Sequence, residues 1–326
     1  MAIRLPAGLL RILLRLTVKP FLGFPFPVSF QRLWVRIMSN TNAPSRAASM
    51  ERADISGMST LRARPKGSEP KRTVLYLHGG GYCIGSWGTY RGLITHLAVV
   101  ADATVYAPNY RLAPEHPHPA ALDDGVAAYR WLLEQGVSSD RIALAGDSAG
   151  GGLALATAIA IRNAELPAPA SIALFSPWVD LRGDTPSMTA NARIDPMVKP
   201  SWSRSCASMY LNGRDPEDSA CSPLFASHEG LPPILVQVGS DEIILDDSIR
   251  LADRCREAGV DVTLQKFDGY WHEFQIHAGI LEAADQALTK TATFLTTHWE
   301  KGDSPLFERV NPLKKGTVPF LGEDAV

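Results

Sequence analysis

Beyond residue 72 the chain alternates between short apolar runs and longer stretches whose apolar residues recur at helical spacing. Thr73–Leu77, Thr104–Ala107, Ile142–Ala145, Ile172–Phe175 and Ile234–Val238 are almost continuously apolar, the pattern of strands buried on both faces of a parallel sheet. Between them Ala120–Glu134, Ala149–Glu165 and Asp246–Ala258 read as helices, and a late strand, Val262–Phe267, precedes a final helix around Ala278–Trp299. Strand–helix alternation of this kind predicts an α/β fold: a mostly parallel, doubly wound sheet with helices on both faces. The rhythm breaks over 184–230, with prolines at 186, 196, 200, 216 and 223 and the large side chains Met188, Met197, Trp202 and Met209. That insertion, together with the N-terminal stretch, is expected to form a helical cap. The expected organisation is 1–45 as the N-terminal part of the cap, 46–183 as the first part of the core, 184–230 as the cap insertion, 231–300 as the second part of the core, and 301–326 as a polar, proline-bearing tail.

The N-terminal 24 residues are rich in Leu, Ile and Phe but carry Arg4, Arg11, Arg15 and Lys19. These charges break the apolar core that a signal peptide needs, no A-x-A site follows closely, and a membrane span needs about twenty largely uncharged residues. Arg4, Arg11 and Arg15 share one helical face, with leucines over the rest. The stretch therefore reads as an amphipathic lid helix over the body, in preference to a cationic helix resting on a membrane surface. The net charge of −2 gives no reason to expect nucleic acid as a partner. The four cysteines, Cys83, Cys206, Cys221 and Cys255, lack CxxC spacing and a matching histidine cluster. No metal or other cofactor is expected, and reduced thiols suit a cytoplasmic protein. Cys83 reads as a small wall residue of a pocket rather than a nucleophile.

Two glycine-rich segments follow predicted strands: His78-Gly79-Gly80-Gly81 and Gly146-Asp147-Ser148-Ala149-Gly150. The second fits G-x-S-x-G, a sharp strand-to-helix turn that lifts one serine hydroxyl above a sheet, and the first fits the glycine loop that offers backbone N–H groups to an oxyanion. Their co-occurrence points to acyl-transfer chemistry with Ser148 as nucleophile. A serine hydroxyl needs a base to accept its proton and a carboxylate to orient that base, in chain order Ser, acid, His. Of the eight histidines, His272, His277 and His298 follow Ser148 and the late strands. His277 and His298 fall on the expected final helix. His272 lies in the loop Asp268–Phe274, just past a strand end, where such sheets place their chemistry. The acid is Asp241 or Glu242, adjacent residues at a strand end that face opposite ways; Asp246 and Asp247 suit the start of the following helix, and Asp268 suits a turn.

With these motifs in view the chain resembles the hormone-sensitive lipase family of α/β-hydrolases, in its bacterial carboxylesterase branch. The resemblance rests on His78–Gly81, Asn109-Tyr110-Arg111-Leu112-Ala113-Pro114-Glu115, Pro119-Ala120-Ala121, Gly146–Gly151 and the Asp268–Phe274 loop, and covers most of residues 30 to 300. It implies an α/β-hydrolase fold, Ser148 as nucleophile, His272 as base, and the backbone N–H groups of Gly80, Gly81 and Ala149 as an oxyanion hole. It also implies that Tyr110-Arg111 and Asp123-Asp124 form a structural brace. The family's acid usually stands in Asp-Pro-Leu-x-Asp, which this chain lacks; aligning the second Asp with Asp246 places Glu242 in the acid slot, with Asp241 one residue out of register. The implied activity is hydrolysis of short- to medium-chain carboxylic esters. An interfacial lipase on longer chains and a non-catalytic small-molecule receptor are the alternatives. The implied partner is a small-molecule ester, and a homodimer is compatible with the resemblance, although no interface can be read from the residues.

Overall fold

A computed structural model describes residues 4–302; the expected tail lies almost wholly outside them. The strands are β1 (Ala48–Ile55), β2 (Met58–Pro65), β3 (Thr73–Leu77), β4 (Thr104–Pro108), β5 (Ile142–Asp147), β6 (Ser171–Phe175), β7 (Ile234–Gly239) and β8 (Val262–Phe267). They form one eight-stranded sheet in the order β1-β2-β4-β3-β5-β6-β7-β8. Pairing is parallel from β4 to β8 and antiparallel at β1–β2 and β2–β4. The helices are α1 (Ala7–Thr17), α2 (Val28–Met38), α3 (Trp87–Val100), α4 (Ala120–Glu134), α5 (Ser148–Asn163), α6 (Pro186–Ala190), α7 (Pro200–Leu211), α8 (Leu245–Glu257) and α9 (Glu282–Gly302). No helix among the described residues is long and apolar enough to cross a membrane.

The central strands β3, β5, β6 and β7 are buried at every position, which is why their sequences are almost continuously apolar. The expected strands therefore appear within two residues of their ends. The outer hairpin β1–β2 and helix α3 have no counterpart in the sequence reading. β1 is exposed at its centre and mixes Glu51, Arg52 and Asp54 into the run, so it shows no apolar signal. The final helix starts at Glu282, four residues later than expected. Residues Phe274–His277 instead form a separate 3-10 turn with Phe274, Gln275 and His277 buried.

The Arg111–Asp124 brace is present as a paired contact of guanidinium and carboxylate, with Arg111 Nη2 at 2.7 Å from Asp124 Oδ1. Asp246 and Asp247 do stand in the first turn of α8, and they do more there than meet the helix dipole. Asp247 is buried and accepts the Val179 and Asp180 N–H groups, both at 3.0 Å, while Asp246 accepts from Ser187 N–H at 2.7 Å. Burial pushes the Asp247 carboxyl up to about 8.

Helix α1 lies against the body, and the cations on and beside it face inward. Its cations turn toward the body: Arg4 to Asp285, Arg11 to Asp241 and the Gly269 carbonyl, Arg15 to the carbonyls of Arg193 and Ile194, and Lys19 to those of Ala192 and Asp195. Only Leu10 and Leu14 are buried on α1, whereas Leu9, Ile12, Leu13 and Leu16 are exposed. Satisfying carbonyls left open by the 191–195 loop fixes this orientation, because such acceptors are costly to leave unpaired.

Candidate active site

At the end of β5 the chain passes from strand to helix within one residue. Ser148 takes a left-handed φ of 50°, sparsely populated for a residue with a side chain. The turn is seated by close backbone packing: a Cβ on Gly150 would overlap the carbonyl oxygens of Leu77 and His78, so only glycine lets the start of α5 approach β3. The Ser148 carbonyl in turn accepts the Trp178 N–H at 2.8 Å.

His272, in the loop after β8, and Glu242, just past β7, meet Ser148 in an unbroken chain of hydrogen bonds. His272 Nδ1 lies 2.7 Å from Glu242 Oε2, and His272 Nε2 lies 2.9 Å from Ser148 Oγ. With a carboxylate on Nδ1, that nitrogen carries the proton and Nε2 is left to accept from the serine hydroxyl. Glu242 is fully buried, and its other oxygen accepts from Gly239 N–H at 2.6 Å and Ser176 Oγ at 2.9 Å. Burial raises the Glu242 pKa, and His272, Gly239 and Ser176 oppose that rise. For His272 burial alone would lower the pKa, but the Glu242 hydrogen bond and the charges of Glu273, Glu242 and Asp195 outweigh it and bring the ring to about 9.

Asp241 points elsewhere. Its carboxylate takes Arg11 of α1 at 2.7 Å and the Ser240 hydroxyl, so of the two adjacent acids only Glu242 reaches the imidazole. His277, expected on the final helix, is buried in the 3-10 turn with Nδ1 3.1 Å from Asn42 Oδ1, and burial lowers its pKa to about 3.

The glycine loop after β3 is held by its histidine. His78 stacks on Tyr110 with ring centroids 4.4 Å apart, its Nδ1 donates to the Gly79 carbonyl, and Tyr110 donates to the His78 carbonyl at 2.6 Å. Burial lowers the His78 pKa to about 4, so the ring is neutral. Among the described residues no protein acceptor takes the N–H of Gly80 or Gly81. The N–H of Ala149 belongs to the first turn of α5, where helices have no internal acceptor to offer. Cys83 is buried behind this loop with its Sγ toward the Cys206 carbonyl, and does not line the cavity as expected.

Ser148, His272 and Gly80 form the floor of a cavity of about 450 Å³, an ordinary size for a small-molecule site. Its walls are apolar: Leu10, Leu14 and Val18 from the α1 region, Val35 and Met38 from α2, and Met197, Val198 and Trp202 from the insertion. Trp202 Nε1 donates to Gln31 at 2.8 Å, which ties α7 to α2. Among the described residues no group of three or more His, Cys, Asp or Glu side chains is placed to hold a metal ion.

Residues 74–276 match the sequence model of the alpha/beta hydrolase fold. The chain belongs to that family. A solved α/β hydrolase described as an esterase from the bacterial hormone-sensitive lipase family superposes with a TM-score of 0.86 at 38% identity, over 90% of this chain and 98% of that one. An acetyl-hydrolase of Streptomyces hygroscopicus is 41% identical over 231 residues, 71% of this chain and 77% of its own. An ethyl acetate hydrolase of Pseudomonas putida is 32% identical over 247 residues, 72% and 77% of the two chains. This α/β hydrolase thus falls in the hormone-sensitive lipase branch.

Sequence reasoning passed over Ser176, Glu273 and Tyr90. Ser176 has a left-handed φ of 46° and joins two loops, donating to Glu242 and accepting the Glu273 N–H at 3.2 Å. Its only sequence signal is a hydroxyl at the end of a buried strand, the same end that carries Ser148 and Glu242 on neighbouring strands.

Proposed function

We propose that this α/β hydrolase is a serine carboxylesterase acting on short- to medium-chain esters through an acyl-enzyme. The observation that carries the reading is the Glu242–His272–Ser148 hydrogen-bond chain, with contacts of 2.7 and 2.9 Å, at the floor of an apolar cavity. His272 Nε2 takes the Ser148 proton as Oγ attacks the ester carbonyl. The N–H groups of Gly80, Gly81 and Ala149 receive the charge that develops on the carbonyl oxygen. Glu242 keeps Nε2 free to accept and steadies the imidazolium. His272 then gives the proton to the departing alcohol, and water repeats the sequence on the acyl-enzyme, releasing the acid.

The short acyl preference draws support from relatives named for acetyl and ethyl acetate hydrolysis and from a cavity of about 450 Å³. Hydrolysis of p-nitrophenyl esters across acyl lengths tests it. Turnover should peak at short to medium chains, and Ser148→Ala should lower kcat by about 10⁴- to 10⁶-fold with the fold retained. Retention of most activity in that variant overturns the reading. A second reading, action at a lipid surface, is favoured by the exposed Leu9, Ile12, Leu13 and Leu16 of α1, since Leu13 also lines the cavity. Under it, turnover of a sparingly soluble ester rises abruptly at its solubility limit; a smooth saturation curve through that limit removes it.

A further inference from the structure

Beside the Ser148–His272 pair lies a second polar cluster that the proposed mechanism leaves unused. Asp147, at the end of β5, and Glu273, the residue after His272, are both buried. They converge on the bare Cα of Gly79: a Cβ there would collide with Asp147 Oδ2 and Glu273 Oε1 and would lie 2.7 Å from the Tyr90 hydroxyl. The two carboxyl groups lie within hydrogen-bonding reach of each other. Tyr76 donates to Asp147 Oδ1, and Tyr90 stands 3.3 and 3.4 Å from the two Glu273 oxygens. Among the described residues Asp147 Oδ2 has no hydrogen-bond partner. Two carboxylates facing each other away from solvent cannot both be ionised, because the repulsion is unscreened. One proton on the pair removes the repulsion and supplies the missing hydrogen bond.

We propose that Asp147 and Glu273 share one proton, and that the single charge they retain, on Glu273 at 3.7 Å from His272 Nε2, makes Glu273 a positioning residue for the imidazolium. This rests on the reading of His272 as base. Glu242 holds the ring from Nδ1, and Glu273 faces Nε2, the nitrogen that gains and loses the proton. Burial, followed by the Glu273 charge, raises the Asp147 pKa well above the carboxylate range, with Tyr76 and Tyr90 opposing, which places the proton on Asp147. The other titratable groups around the pair are Tyr110 and His78; burial keeps the first protonated and the second neutral. Around His272 itself the remaining charges are Glu242 and Asp195. The Ser176 hydroxyl joins Glu242 to the Glu273 N–H, so both acids are held from one strand end.

Two isosteric variants separate charge from structure. In Asp147→Asn the amide replaces the shared proton and the charge stays on Glu273, so the acid limb of kcat/KM is expected to stay where it is. In Glu273→Gln the charge moves to the more distant Asp147, so the limb is expected to move to lower pH by about one unit, with kcat reduced about tenfold. A pair that only braces the loops moves both limbs alike or neither, and that result overturns the proposal. Infrared difference spectra of wild type and Asp147→Asn give a readout that needs no turnover, and so fails separately from the Ser148 reading. A protonated-carboxyl band present only in wild type is expected. Should the variants not fold, wild type alone decides: the band must persist above the pH at which Asp247, raised to about 8, has ionised. Its absence there overturns the proposal.

Discussion

The elbow around Ser148 and the cover formed by α1 and α2 both border the same cavity, yet they are built by opposite means. At the elbow the decisive contacts are backbone to backbone. Gly150 lies against the Leu77 and His78 carbonyls, and Gly146 lies against the Gly150 carbonyl, with no space for a single added carbon. In the cover the fastenings are long side chains reaching backwards: Arg11 and Arg15 to loops far along the chain, and Gln31 to Trp202. Backbone contacts fix position to fractions of an ångström, as a reacting serine requires. Side-chain fastenings hold a wall in place while tolerating exchange of its outer residues.

The sharpest way to break this comparison is one alanine substitution on each side. Gly150→Ala is expected to abolish the folded protein, read as loss of soluble, cooperatively melting material, because neither carbonyl it meets can move without dismantling β3. Ile12→Ala, at an exposed position of the cover, is expected to change stability by no more than about 0.5 kcal/mol in the same melt. Equal outcomes would erase the distinction.

Next in size is the contrast between the adjacent acids. Glu242→Gln is expected to lower kcat about 10³- to 10⁴-fold, since the imidazole loses its orienting charge. Asp241→Asn, which loosens Arg11 and the Ser240 hydroxyl and leaves His272 untouched, should leave kcat within about twofold. Steady-state kinetics on one soluble ester reads both, and a larger loss in Asp241→Asn would reverse the assignment.

The pH profile then reports on the buried side. Only neutral His272 can accept the serine proton, and its pKa is raised to about 9. Therefore kcat/KM is expected to climb with pH through that region and flatten above it. A limb near the ordinary histidine value would mean that the surrounding carboxylates contribute little. A smaller effect again belongs to the fastenings of the cover: Arg11→Ala removes contacts of 2.7 Å to Asp241 and to the Gly269 carbonyl. It should cost about 1 kcal/mol and about 1–2 °C in Tm, with KM raised more than kcat is lowered.

The same contrast explains what could be read from the chain. Steric necessity at the elbow leaves glycines at fixed spacing, so Ser148 and the His78–Gly81 loop stood out, as did buried strands that are almost wholly apolar. Glu242 and Asp241 stayed ambiguous in the residues themselves, because which of two neighbours turns inward depends on the exit angle of β7 and on Arg11 claiming the other. The inward turn of the α1 cations was hidden for a related reason. A helical wheel shows that Arg4, Arg11 and Arg15 share a face, but the open carbonyls of residues 192–195 that attract Arg11, Arg15 and Lys19 lie some 180 positions away. Ser176 and the β1–β2 hairpin carry no pattern that distinguishes them from ordinary polar surface.

Nearly half of the cavity lining comes from residues 5–42, while the proposed reacting groups come from residues 78–272. The proposed chemistry and much of the cavity wall are thus encoded in separate stretches of one chain. A lineage carrying this arrangement can change what it hydrolyses through substitutions in α1 and α2 alone, each intermediate keeping a working nucleophile.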